Sequence, residues 1–180
     1  MIMHLNSSEL YTFIDDICEN KILNLTNNCN VIFRNYHKKV DLKTILKIKK
    51  ICKKRRLKFY LANNTKLALQ ANLDGVYIPS FNKSLNLNNC RNKRKNFIIL
   101  GSAHSISEIK FKEKQGVNLI FVSPLFLTKD YQKCLGVVKF NLMSKITKKS
   151  VVALGGIRKD NLNKLKMVNA DGFSGITYFN

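Results

Sequence analysis

Residues 151–177 limit the fold more than any other part of this chain. Val151-Val152-Ala153-Leu154 is a short unbroken apolar run, which suits a strand buried on both faces, and Gly155-Gly156 follow at its C-terminal end. Asp160 then caps a helix that runs to Val168, with Leu162, Leu165 and Val168 as its apolar points. Asp171-Gly172 turns the chain into a last strand over 173–177. Strand, paired glycines, helix, strand is the order in which a βα barrel builds an anion site. Backbone N–H groups after its last two strands converge there, and only glycine lets the backbone approach so closely. An ordinary βαβ unit with a tight turn satisfies the same residues.

The rest of the chain repeats the pattern. Apolar runs predict strands over 10–14, 30–34, 58–62, 76–78, 97–100 and 118–122, each ending in polar or small residues. Between them lie a weakly helical connection over 17–28 and an amphipathic helix capped by Asp41. The buried side of that helix reads as Leu42, Ile45, Leu46, Ile48 and Cys52. A brief helix follows Asn64 or Thr65, and a polar stretch over 81–96 reads as a loop with a degenerate helix. A helix capped by Ser105 or Ser107 stops at Gly116, and another spans 139–148 after a long loop over 127–137. Eight units of about 20 residues favour a small (β/α)8 TIM barrel over an open doubly wound sheet, with 1–180 as a single domain. In such a barrel the chemistry lies at the strand C-terminal ends. Those ends carry Asp15, Arg34, Asn63, Asn64, Ser80, Ser102 and His104, then Ser123, Thr128, Gly155, Gly156 and Thr177.

A net charge of +21 raises the question of nucleic acid. Only 6 of the 32 basic residues are Arg, and the chain also holds 22 Asn, so the excess reads as a compositional Lys and Asn bias. Base reading and bidentate phosphate clamps favour Arg, and no nucleic-acid motif accompanies the charge. The charge therefore predicts attraction to phosphorylated small molecules and no specific nucleic acid as partner. No apolar run approaches the roughly 20 residues that span a bilayer, so no membrane is expected either. Five scattered cysteines without a CxxC pair, and an N-terminal stretch without a leader pattern, predict a cytoplasmic protein with reduced thiols.

Taken together in order, LYTFIDD, NVIFR, FYLANN with KLAL, DGVYIP, GSAHS, SPLF-L-T, ALGGI and ADGFSGIT make the chain resemble the thiamine-phosphate synthase and thiazole-tautomerase family, nearly end to end. The resemblance implies a transferase that joins a thiazole phosphate to a pyrimidine pyrophosphate and releases pyrophosphate, with leaving-group departure first. It implies catalytic roles for Arg34 and Ser102 at the diphosphate. Thr128, Gly156, Ile176 and Thr177 would contact the thiazole phosphate, and Asn63, Asn64, His104, Lys129 and Gly155 complete the substrate site. It also implies magnesium, but the family's two ligating carboxylates fall at Asn64 and Asn82, and Asn is a weaker ligand for a hard cation. No metal ligand is therefore assigned. The T-x-T-K loop reads Thr128-Lys129-Asp130-Tyr131, and the tautomerase branch's loop His is Ser123.

Arg34 has a second expectation, a salt bridge to Asp15, and His104 a second one as a polar cap on the rim. Two other functions satisfy the same residues. One is a paralogue that binds a thiazole or thiamine phosphate without the pyrophosphate chemistry. The other is a non-catalytic basic binding protein. With Asn180 as the last residue, the last helix of the barrel is expected to be missing or replaced. Phe173 is then expected on an uncovered face, which predicts a homodimer burying it.

Overall fold

The computed structural model describes residues 9–17, 19–37, 40–87, 94–128 and 133–175. Each apolar run forms a parallel strand: β1 Glu9–Ile14, β2 Cys29–Phe33, β3 Phe59–Ala62, β4 Gly75–Ile78, β5 Ile98–Ala103, β6 Leu119–Val122, β7 Ser150–Leu154 and β8 Gly172–Ser174. Every strand pairs with the next, and β8 returns to β1 in the register Glu9↔Gly172, Leu10↔Phe173, Tyr11↔Ser174. The sheet is a closed eight-stranded barrel, as expected. Between strands lie α1 Glu19–Leu23, α2 Leu42–Lys54, α3 Thr65–Gln70, α4 Ile106–Lys114, α5 Gly136–Ser144 and a 3-10 helix Lys159–Met167.

Closure leaves two apolar layers, because successive side chains on a strand point to opposite faces. Tyr11, Phe13, Ile32, Tyr60, Tyr77, Leu100, Phe121 and Val152 fill the interior. Its aromatic rings meet edge to face, with centroids 5.0 Å apart for Tyr11–Phe121, 5.2 Å for Phe13–Tyr77 and 5.5 Å for Tyr77–Phe121. The alternate residues, among them Val31, Phe59, Val76, Ile99 and Val151, pack outward against the helices. Continuing the inward alternation one step past each strand core brings Arg34, Ser102 and Ser123 to the C-terminal mouth.

Several local expectations are corrected. On α2 the buried stripe is Ile45, Ile48, Ile51 and Cys52, while Leu46 is exposed; Asp41 is its N-cap, accepting from Thr44 N at 2.9 Å. α5 begins at Gly136, three residues before the expected start. The N–H groups of Leu135 and Gly136 are taken by the carbonyls of Pro124 and Leu125, at 2.9 and 3.0 Å. The segment after β7 is 3-10, capped at Arg158 and not Asp160. Leu162, Leu165 and Val168 are spaced by three, which stacks most closely at three residues per turn. Asn161 closes the first turn by accepting from Arg158 N at 2.9 Å and donating to Gly156 O at 2.8 Å. β8 is shorter than the expected 173–177, ending at Ser174. Phe173, expected on an uncovered face, is instead 2% exposed and lies in the outer core; Tyr178 and Phe179 lie outside the described residues.

Candidate active site

At the β1–β2 corner, Arg34 N extends the ladder by donating to Ile14 O at 2.8 Å. Its Nε lies 3.2 Å from Asp15 Oδ1 and its guanidinium sits 5.1 Å from the Phe13 ring centroid. Asn35 Nδ2 donates to Asp15 O at 2.9 Å and ties the two loops together. The salt bridge expected as the alternative role of Arg34 is thus present. Both side chains are partly open to solvent, at 34% and 57% exposure, so an arriving anion can compete with Asp15 for the guanidinium.

Between β3 and β4 the mouth is built from neutral amides. Asn63 adopts a left-handed backbone, φ 57°, a conformation that Asn tolerates better than most residues. Its Oδ1 accepts from Asn82 Nδ2 at 2.6 Å. Asn64 points away into α3, where Oδ1 accepts from Leu67 N at 3.0 Å as the helix N-cap. Asn82 Oδ1 accepts from Ser84 N at 2.9 Å. One residue earlier, Phe81 meets Tyr36 edge to face at 5.5 Å, joining the β4 loop to the β2 loop.

The magnesium expectation can be tested against these bonds. The oxygens of Asn64 and Asn82 each accept from a backbone N–H group, and both side chains are neutral, without the carboxylate charge a hard cation favours. Among the described residues no group of three or more His, Cys, Asp or Glu gathers as a metal cluster would. These residues do not fit a carboxylate-held divalent cation.

Around β5 and β6, Ser102 is buried at the inner face, and His104 turns its Nδ1 toward Ser123. That nitrogen lies 3.1 Å from Ser123 O and 3.2 Å from Ser123 Oγ. A carbonyl only accepts, so the bond to Ser123 O requires a proton on Nδ1. His104 N donates to Glu108 Oε2 at 2.7 Å, and Ser105 caps α4 through Glu108 N at 3.3 Å. His104 therefore joins the β5 and β6 loops, which is the rim role given as its alternative.

The β6 and β7 loops are zipped by Leu125 N to Leu154 O at 2.8 Å and Phe126 N to Gly155 O at 3.0 Å. A Cβ on Gly156 would lie 2.5 Å from Leu127 O and 2.6 Å from Phe126 O, and φ is +68°. The glycine pair is thus required by this close loop crossing, whatever else it binds. Thr128 sits half-buried at the end of the same loop. Lys129, Ile176 and Thr177 lie outside the described residues.

A cleft of about 550 Å³ lies at the opposite, N-terminal end of the strands, lined by Lys49, Lys53, Arg56, Asp74 and neighbours. That is the stability face of this architecture and not its chemical face. Sequence reasoning overlooked Lys112 on α4, which is fully buried and bonded to the β4 loop. Its signal was position: Ile109, Lys112 and Gln115 share the buried stripe, and two of the three are polar.

A closed parallel barrel whose guanidinium, hydroxyls, imidazole and amides stand at the C-terminal mouth defines a small TIM barrel. The comparisons give the family. The model of the thiamine monophosphate synthase family matches residues 24–179, and the chain belongs to that family. It is 34% identical over 121 residues to the thiamine-phosphate synthase of Prochlorococcus marinus, covering 66% of this chain and 34% of that one. It is also 34% identical over 130 residues to the thiamine-phosphate synthase of Pelagibacter ubique, covering 69% and 61%. The chain thus spans from a third to three fifths of the length of these relatives. The thiamine phosphate pyrophosphorylase from Pyrococcus furiosus superposes with a TM-score of 0.76 at 21% identity, over 94% of this chain and 86% of that one.

Proposed function

We propose that this protein is a thiamine-phosphate synthase, a transferase that joins a thiazole phosphate to a pyrimidine pyrophosphate in thiamine biosynthesis. The observation that carries the reading is the family match over residues 24–179, which takes in Arg34, Ser102, His104 and the Gly155–Gly156 crossing. Arg34 is the cation best placed for the departing diphosphate: it stands at the mouth, partly open, and its bond to Asp15 is one an oxyanion can replace. Ser102, buried on the inner face of β5, offers a hydroxyl to the same group. The thiazole phosphate falls to the loops after β6, β7 and β8, with Thr128, Lys129, Gly155, Gly156, Ile176 and Thr177. Asn63 stands at the mouth, bonded to Asn82, and Asn64 supports the same corner as a helix cap.

Magnesium is not routed into these steps, because the two amides that stand at the family's carboxylate positions are occupied by backbone donors. The partners are phosphorylated small molecules. Among the described residues no helix is long and apolar enough to cross a membrane. We place the protein in the cytoplasm on the strength of its free Cys29, Cys52 and Cys134 and the biosynthetic reaction. The chain acts as one domain, since β8 closes onto β1.

The deciding measurement is a coupling assay with both phosphorylated precursors, with and without magnesium. Thiamine phosphate formed at enzyme-like rates supports the transferase. Saturable binding of the thiazole phosphate with no product overturns it and leaves a binding paralogue.

A further inference from the structure

Lys112 projects from α4 into the space between the helix layer and the barrel, and it is fully buried. Its stem runs along β5 at Gly101, where even a Cβ would come within 3.1 Å of Cδ and 3.4 Å of Cγ. The absence of a side chain there gives the stem its channel. At the far end Nζ donates to Pro79 O at 2.8 Å, Gln115 Oε1 at 2.8 Å and Asn82 O at 3.2 Å. An ammonium has three N–H bonds, and three oxygens take them. All three acceptors are neutral, so no carboxylate bonds the ammonium directly. Glu108 and Lys83 are the charged groups that act on it, in opposite senses. Gln115 adds a second layer, with Nε2 donating to Asn82 O at 3.1 Å and Ser84 O at 2.7 Å.

Two of these acceptors and both Gln115 bonds lie on one segment, residues 79–84. That segment carries Phe81, which meets Tyr36, and Asn82, which bonds Asn63. It therefore crosses the mouth from β4 past β3 toward β2, and its inner edge is fastened from beneath by α4. We propose that Lys112 is a positioning residue of the barrel mouth: its buried side chain fastens the loop after β4 from below, so that Asn82 and Phe81 are held at fixed places over the β2–β3 corner. In this chain an internal lysine ties down the loop of Asn82, the residue at which the family resemblance implies a carboxylate. The proposal rests on reading the mouth as an anion site only for its binding consequence; the fastening itself follows from the bonds.

The test uses the full chain with Lys112→Met, which keeps the stem's length and removes the donors. Backbone hydrogen exchange is followed by NMR, and inorganic pyrophosphate is titrated by calorimetry. The Asn82 and Ser84 amides should exchange at least tenfold faster, with strand amides unchanged, and pyrophosphate should bind about tenfold more weakly. Loop exchange within twofold of wild type overturns the proposal, as does an equal acceleration in all strands, which would make Lys112 a general packing residue. A loosened loop with unchanged pyrophosphate affinity overturns the link to the mouth. Should Lys112→Met not fold, Gln115→Leu removes one acceptor and the second layer, and the same readouts decide. A wild-type protein without turnover sinks the transferase assignment and leaves the exchange result standing.

Discussion

Raising the pH from 8 toward 10.5 should stabilise this barrel through one side chain while loosening one loop. Burial, reinforced by Lys83 and opposed by Glu108, pushes the Lys112 ammonium down to about 8 from its ordinary 10.5. Between those values the unfolded chain binds a proton that the folded one has released, so stability rises with pH across that window. Below about pH 8 the cost of burying the cation is fully present. At about 1.4 kcal/mol per pH unit, a difference of two and a half units amounts to about 3 kcal/mol. Other lysines and tyrosines titrate nearby, so the comparison is with Lys112→Met, by urea unfolding at pH 7, 8, 9 and 10. The wild-type curve should climb relative to the variant by up to ~1.4 kcal/mol per pH unit above pH 8. Over the same range the neutral amine keeps two N–H bonds for three acceptors, so the Asn82 and Ser84 amides should lose protection. Parallel stability profiles for the two proteins would refute the buried cation. A rise in both stability and loop protection would refute the hydrogen-bond account.

Gly156→Ala should destabilise the fold by about 1–3 kcal/mol, since its Cβ meets the carbonyls of Phe126 and Leu127 at 2.6 and 2.5 Å and φ is +68°; thermal unfolding measures it, and an unchanged midpoint would mean the β6 loop moves aside freely. Arg34→Gln should leave stability nearly untouched, because its ion pair is solvent-open, and lower kcat/KM by roughly 10- to 100-fold through a lost charge-assisted contact; equal rates in the coupling assay would remove Arg34 from the diphosphate site. Asn64→Asp should keep the α3 cap within about 0.5 kcal/mol, as Asp and Asn cap equally well, while adding a carboxylate near the mouth; a magnesium titration of activity should then steepen relative to wild type, and an unchanged titration would mean the cap holds the carboxylate away from the ligand.

The barrel was legible because its strands are buried on both faces, which makes each of them a continuous apolar run wherever it begins. All eight were found within a few residues. What was not legible depended on partners distant in sequence. Leu46 and Ile51 are equally apolar, and only the barrel behind α2 decides that Ile51 is buried and Leu46 is not. The early start of α5 reflects carbonyls of Pro124 and Leu125 that satisfy its first N–H groups. The 3-10 segment was hinted at by apolar spacing of three, but 162, 165 and 168 fit a short α-helix as well. At the mouth, the sequence left two roles open for several residues, and the structure adds the bonds each one makes. Of the two candidate caps for α3, Asn64 is the one that accepts from Leu67 N, and His104 bridges two loops through Ser123. Lys112 was hidden by abundance, for a lysine in so basic a chain is taken as surface until a structure shows what surrounds it.

The substitutions at the mouth are consistent with one another in charge. Two carboxylates with a divalent cation, the arrangement that the family resemblance implies, sum to no net charge, and so do two Asn residues without one. What changes is how the loops are held. A metal would link the β3 and β4 loops through its ligands, at the cost of dehydrating the ion. Here the same loops are linked directly, Asn82 to Asn63, and the β4 loop is fastened from below by Lys112 and Gln115. These bonds are neutral or internal, so salt screens them weakly. The partly open Arg34–Asp15 pair is the part of the corner that ionic strength reaches. It follows that substrate affinity should fall with salt through Arg34 while the shape of the mouth stays fixed, a separation that a metal-held mouth would not show.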